Sequence, residues 1–235
     1  MTKPMARSLF RDIMRVMIIT YHGGECFKVS QGDLTLAFNP PSKGSKLKVS
    51  KFGADIVLVS LNNPDFNGVD TASLGDKVPF VVNGPGEYDV KGVTIRGYLS
   101  PSQYDTAQPI NTIYSVIVEG VHICFLGALG GDDLPIEAKQ ELDQIDVLIV
   151  PIGGEGVFDY ATAYKRAVQL EPKVVIPMHY PSTGSGQVAG FGQKDSLKLF
   201  LKEAAAEATQ PIDKFVFKRK DIEGKEGEIV VLQNS

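Results

Sequence analysis

The chain of 235 residues has only two cysteines, Cys26 and Cys124, nearly a hundred positions apart. That excludes a disulfide framework and a cysteine zinc knuckle, and it makes a reducing compartment, the cytoplasm, the simple expectation. There is no surplus of positive charge. The 24 Lys and Arg stand against 28 Asp and Glu, a formal net charge of −4. That sign argues against a protein that grips nucleic acid through its phosphates. No apolar run approaches the ~18–20 residues that span a bilayer. Histidine is scarce as well: His22, His122 and His179 are the whole supply. Chemistry that needs a cluster of imidazoles therefore has little to draw on. What is present is a composition of 43% hydrophobic and 22% charged residues. This is enough to bury a core and to exclude global disorder.

Residues 1–16 carry Lys3 and three arginines, Arg7, Arg11 and Arg15, that share one helical face. The segment lacks the continuous apolar stretch and small-residue cleavage site of a secretory signal. It either touches an anionic surface or is a frayed extension ahead of a second start at Met17. The expected organisation is this extension followed by one domain over 17–235, with no linker or composition break inside it.

From Met17 onward the pattern is strand-rich. Val16–Tyr21, Cys26–Ser30, Leu34–Phe38, Ile56–Ser60, Val78–Val82, Val93–Tyr98, Thr112–Val118 and Val121–Leu126 are apolar or alternating runs broken by turn residues. Glu119-Gly120 reads as a tight hairpin turn, and Glu87-Tyr88 as part of a turn. The second half alternates strand and helix. Helices are predicted over Pro135–Leu142, from an Asp159 cap to Leu170, and along the stripe from Leu197 to Ala208. Strands are predicted at Val147–Val150, Val174–Met178, Phe215–Phe217 and Ile229–Leu232. The loop Pro181–Gly192 holds Gly184, Gly186 and Gly190. It opens no early βαβ unit, so glycine spacing alone does not make it a nucleotide site. A lid or a plain surface loop is expected.

Seven segments carry a resemblance. They are YHGGECFKV (21–29), LAFNP (36–40), ADIVLVSLNNPDFNG (54–68), VNGPGEYDVKGVTIRGY (82–98), NTIYSVIVEGVHICFLGALG (111–130), DVLIVPIGG (146–154) and EPKVVIPMHY (171–180). In this order the chain resembles the metallo-β-lactamase superfamily, in particular its single-domain, hydrolase-like branch that includes lactonase-type proteins. The resemblance implies an α/β (α+β) fold, the αββα four-layer sandwich, with the site at one edge. It also implies two adjacent metals, held by a His-x-His-x-Asp-His loop, two later histidines and a bridging aspartate. A water between such metals is acidified and attacks a carbonyl or phosphoryl centre.

Set against that motif, the chain keeps little. Its loop reads Leu61-Asn62-Asn63-Pro64-Asp65-Phe66, so both histidines of the first metal and the next one are replaced. Ala128 stands where the bridging aspartate is expected, and Leu99–Tyr104 holds no histidine. Gly24 and Asn39 replace a usual histidine and aspartate. Asp65 and His179 are the residual metal-ligand and catalytic candidates. Asn39, Asn63 and Asn67, with Asn62, are candidates to line a polar pocket. Asp65 is either a remnant ligand or a turn carboxylate. His179 is either a ligand or base, or a hydrogen-bonded histidine paired with Asp65. Asp132 or Asp133 either replaces the lost carboxylate or caps a helix. His122 is expected on a strand, and His22 is not expected to reach the site.

Two protein ligands are fewer than the three that catalytic zinc uses. The expectation drawn from this count is a protein that has lost most metal ligands and hydrolytic turnover. It would serve binding of a small polar ligand or a protein partner, regulation or homo-oligomeric assembly, with no cofactor. The alternative is a residual mononuclear hydrolase, holding zinc or another divalent metal and acting on a lactone or phosphoester.

Overall fold

The computed structural model of the chain describes residues 16–47, 50–107, 109–181 and 191–234. The arginines of the basic segment and Gly184, Gly186 and Gly190 lie outside the described residues.

Alternating burial builds the first sheet. Strands β1 (Met17–Tyr21), β2 (Phe27–Gln31) and β3 (Leu34–Phe38) form an antiparallel meander. Strands β4 (Ile56–Leu58) and β5 (Phe80–Val82) extend it in parallel from β3. The second sheet begins with β6 (Gly86–Val90), β7 (Val93–Pro101), β8 (Ile110–Val118) and β9 (Val121–Phe125), all antiparallel. The β8–β9 hairpin closes through Glu119 and Gly120, both at positive φ (51° and 76°). This is the geometry that matches strand twist in a two-residue loop.

The rest of the chain alternates. Helix α1 (Ile136–Glu141) precedes β10 (Val147–Pro151). Helix α2 (Tyr160–Leu170) precedes β11 (Val174–Met178). Helix α3 (Ser196–Glu203) precedes β12 (Phe215–Phe217) and β13 (Glu228–Ile229). Strands β10 and β11 are buried at every position. This is why VLIVP and VVIPM read as unbroken apolar runs. The completed order is β12-β1-β2-β3-β4-β5 in one sheet and β13-β11-β10-β9-β8-β7-β6 in the other. The chain is the αββα sandwich that its sequence resembles.

Aromatic side chains close the space between the sheets. Phe125 of β9 meets Phe38 of β3 at 5.0 Å and Phe27 of β2 edge-on at 6.4 Å between ring centroids. The opposite face of β3 and β4 turns Ala37, Val57 and Val59 outward, where Ala54, Ala72, Phe52 and Val69 cover them. On this side the described cover is a run of short turns over 61–76 rather than a regular helix. No helix among the described residues is long and apolar enough to cross a membrane.

Three sequence expectations are corrected. The stripe to Ala208 stays apolar, but α3 stops at Glu203. Ala205 turns left-handed (φ 50°), and Ala206 N–H and Ala205 N–H return to the carbonyls of Leu201 and Lys202. That is a Schellman end built on alanine. Glu87 and Tyr88 lie in β6, not in a turn. β6 is an edge strand that turns only Tyr88 and Val90 toward the core, an alternation too short to stand out beside its Gly, Glu and Asp. Val78 is exposed and β5 begins two residues later.

Asp55 ties β3 to the β4–β5 connection. Its carboxylate accepts from Thr35 N–H (2.9 Å), Lys77 Nζ (2.8 Å) and Lys91 Nζ (2.9 Å). Burial pushes this carboxyl up, but the Lys77 and Lys91 hydrogen bonds outweigh it and hold Asp55 below its ordinary value of 3.8. A depressed folded value means stability that is complete above the unfolded value and is lost as pH falls through the folded one. Asp55→Ala is therefore expected to cost about 1–3 kcal/mol at neutral pH. The gap between wild type and variant in thermal unfolding should narrow below pH ~4.

Candidate active site

The edge where β3, β4, β9, β10 and β11 end gathers the loops that matter. Asn39 follows β3, Ser60 and Leu61 follow β4, Gly127 and Ala128 follow β9, Gly153 follows β10 and His179 follows β11. Asn39 (φ 43°) and His179 (φ 59°) are both left-handed, so each chain turns sharply out of its strand. Gly153 packs against the His179 backbone so closely that a Cβ there would overlap the His179 carbonyl.

His179 is fully buried. Its N–H donates to the Gly24 carbonyl at 2.9 Å. Its Nδ1 lies 2.7 Å from Glu25 Oε1. Glu25 is itself wholly buried, and its Oε2 accepts from Asn39 Nδ2 at 2.8 Å. The Asn39 amide is oriented in turn by Ser60, whose N–H donates to Asn39 Oδ1 at 2.8 Å. The far side of the imidazole is different. Nε2 is buried and has no hydrogen-bond partner among the described residues. The Phe191 ring packs 4.1 Å from the imidazole and the Tyr104 ring meets it edge-on at 5.4 Å.

Asp65 does not pair with His179; Glu25 takes that place. Tyr104 stands between the two candidates, with its ring against His179 and its hydroxyl donating to Asp65 Oδ2 at 2.7 Å. Ser45 Oγ donates to Asp65 Oδ1 at 2.5 Å. Burial pushes the Tyr104 hydroxyl up, and its bond to Asp65 and the charges of Glu25 and Asp105 push further in the same direction. Tyr104 is thereby held as a proton-bearing donor. Around these groups Leu61, Phe66, Ala128, Val157 and Phe191 form a buried apolar cluster, with Leu47 and Tyr104 packed against it. The positions where the resemblance expects three histidines and an aspartate include three members of this cluster: Leu61, Phe66 and Ala128.

The asparagines divide. Asn39 is buried within the Glu25 network. Asn63 donates to Asp105 Oδ2 at 2.7 Å and accepts from Asp65 N–H at 3.0 Å, bracing the loop. Asn67 donates to Asn62 Oδ1 at the surface. Asp133 is engaged by Lys139 and Arg166, and the Asp132 carbonyl by Arg166. His122 lies on β9, its Nε2 2.8 Å from Ser115 Oγ and its Nδ1 3.0 Å from the Asp143 carbonyl. His22 stacks on Phe52 at 5.1 Å. No group of three or more His, Cys, Asp or Glu side chains among the described residues is placed to hold a metal. Sequence reasoning missed Glu25, Tyr104 and Phe191. Only Glu25, a carboxylate between Gly23-Gly24 and the apolar pair Cys26-Phe27, carried any local signal.

Residues 18–179 match the family described as the beta-lactamase superfamily domain. A protein of Carboxydothermus hydrogenoformans named as a UPF0173 metal-dependent hydrolase is 26% identical over 197 residues, covering 70% of this chain and 84% of that one. A second UPF0173 metal-dependent hydrolase, from Listeria innocua, is 26% identical over 198 residues, 70% of this chain and 85% of its own length. A Thermotoga maritima crystal structure, provisionally described as a Zn-dependent hydrolase of the metallo-beta-lactamase superfamily, superposes with a TM-score of 0.71. It shares 25% identity, over 92% of this chain and 98% of that chain. These relatives overturn the expectation of a non-hydrolytic binding or assembly protein. That expectation rested on counting ligands against one motif, whereas relatives matched over most of the chain are named metal-dependent hydrolases.

The apolar cluster gives the site its rigidity. Phe66 is fully buried in it, in contact with Tyr104 and Phe191. Phe66→Ala is expected to lower stability by about 3–5 kcal/mol, read as a shift in the urea midpoint with an unchanged slope.

Proposed function

The chain belongs to the beta-lactamase superfamily, and from that premise we propose that it is a metal-dependent hydrolase. It works at the His179 edge of the sandwich on a lactone or a phosphoester. The observation that carries this reading is the buried nitrogen of His179 that has no hydrogen-bond partner among the described residues. A buried polar atom left without a partner costs about 1–3 kcal/mol. Binding a ligand at Nε2 recovers that cost. Two metals do not fit the residues present, because Leu61, Phe66 and Ala128 have no electron pair to give. For one divalent ion the protein donors on offer are His179 Nε2 and Asp65, but Tyr104 lies between them, its ring against the imidazole and its hydroxyl on the carboxylate, so a shared ion requires that side chain to move aside and water or substrate oxygen to complete the shell.

Such an ion, when bound, supplies Lewis-acid polarisation of the scissile group and an acidified water. The chain's own residues do the rest. Glu25 and the Gly24 carbonyl hold the imidazole in place. Ser45 and Tyr104 hold the Asp65 carboxylate from both oxygens. Tyr104 retains its proton and donates a hydrogen bond to Asp65, while its ring edge packs on the imidazole. The cluster around Phe66 and Phe191 keeps bulk water from the imidazole, which strengthens every polar interaction there.

Elemental analysis after incubation with zinc, manganese or iron and desalting is expected to find close to one ion per chain. The same protein should turn over a member of a panel of lactones and phosphoesters. His179→Ala and Asp65→Ala should each lose the ion and lower turnover by about 100-fold or more. Retained metal and activity in both variants would overturn the site. A chain that holds no ion and hydrolyses nothing in the panel would overturn the function.

A further inference from the structure

We infer that Glu25 is the positioning residue of the site. Through its bond to Nδ1 it selects the imidazole tautomer and so places the His179 lone pair on Nε2. The inference rests on the reading of His179 as the working group.

Hydrogen-bond polarity decides which atoms of this network donate. The Ser60 N–H can only donate, so the Asn39 atom it meets is the carbonyl Oδ1. The Asn39 amide nitrogen then faces Glu25 Oε2 at 2.8 Å, and it too can only donate. Glu25 therefore needs an acceptor on the Asn39 side, and a carboxylate offers a second acceptor 2.7 Å from His179 Nδ1. With Glu25 ionised, Nδ1 carries the proton, and Nε2 is left as the bare nitrogen, without a partner among the described residues. A carboxylate or carbonyl that fixes the tautomer from behind is the usual means of readying an imidazole to bind a metal or accept a proton. Here the backbone cooperates, because the Gly24 carbonyl next to Glu25 accepts the His179 N–H. The two residues, 154 positions apart in sequence, are held at both main chain and side chain.

The same polarity predicts what an isosteric change does. In Glu25→Gln the amide oxygen must face Asn39, because the Asn39 nitrogen is a donor. The new NH2 then faces Nδ1, which has to become an acceptor, and the proton moves to Nε2. Shape and burial are kept while the lone pair is lost from the working side. A residue with a merely structural role would leave the tautomer as it was.

The experiment is nitrogen NMR on protein labelled with 15N in its three histidines, with the His179 signals assigned by their loss in His179→Ala. The wild type is expected to show a protonated Nδ1 and an unprotonated Nε2. Glu25→Gln should show the two exchanged and, on any ester the wild type hydrolyses, a rate lower by about 10–100-fold. A wild-type ring that is protonated at Nε2, whether neutral or as imidazolium, would overturn the inference. So would an unchanged tautomer in Glu25→Gln, or an exchanged tautomer with undiminished turnover. Should Glu25→Gln not fold, the wild-type spectrum still decides. The tautomer is read without substrate, so a wild type with the expected tautomer and no hydrolysis would fail the function alone.

Discussion

A carboxylate taken wholly out of water is tolerated only where donors meet its oxygens, since the cost of burying an unpaired charge exceeds what a fold can spare. Glu25 meets that condition through Asn39 on one side and His179 on the other. The condition reaches outward from there. Asn39 must leave β3 in a left-handed turn, Ser60 must present its N–H at the end of β4, and His179 must leave β11 left-handed as well. Three strand ends from two different sheets are thereby fixed around one side chain. The edge of the sandwich is thus constrained by a buried group whose oxygens are both engaged.

Beside this polar network lies its opposite. Leu61, Phe66, Ala128, Val157 and Phe191 fill the neighbouring space with carbon. Their burial is worth on the order of 1.5–3 kcal/mol for each large side chain. They confine polar chemistry to the two groups that Tyr104 touches, His179 and Asp65. A site of this kind differs in character from a two-metal centre, in which charge is spread over many ligands. In the proposed site one buried imidazole nitrogen would carry the reactivity, in surroundings that exclude water and so strengthen its polar interactions.

A count of metal ligands by itself implies a protein without turnover. The count of surviving motif residues was accurate: Leu61, Asn63, Phe66 and Ala128 are what they are, and the described residues assemble no set of three donors. What the count could not contain is a residue outside the motif. Glu25 was invisible to it because no spacing rule links position 25 to position 179. The relatives, matched over most of the domain, are named hydrolases.

Much of the architecture was legible in the order of residues. Unbroken apolar runs marked β10 and β11 because strands covered on both faces have no polar side to show. Glu119-Gly120 marked a hairpin because both positions take positive φ, and Asp159 marked a helix start because its Oδ1 accepts the Thr162 N–H. Edge strand β6 and the early end of α3 were not legible. The first is held by backbone bonds that any side chain permits. The second turns on an alanine whose left-handed φ its chemistry does not announce. Asp65 and His179 were chosen from sequence because local patterns name residue types. Which group His179 would touch was decided only when β11 and the β1–β2 turn met in space. A hydrogen bond across 154 positions has no period, no motif and no local propensity; it exists because two sheets pack.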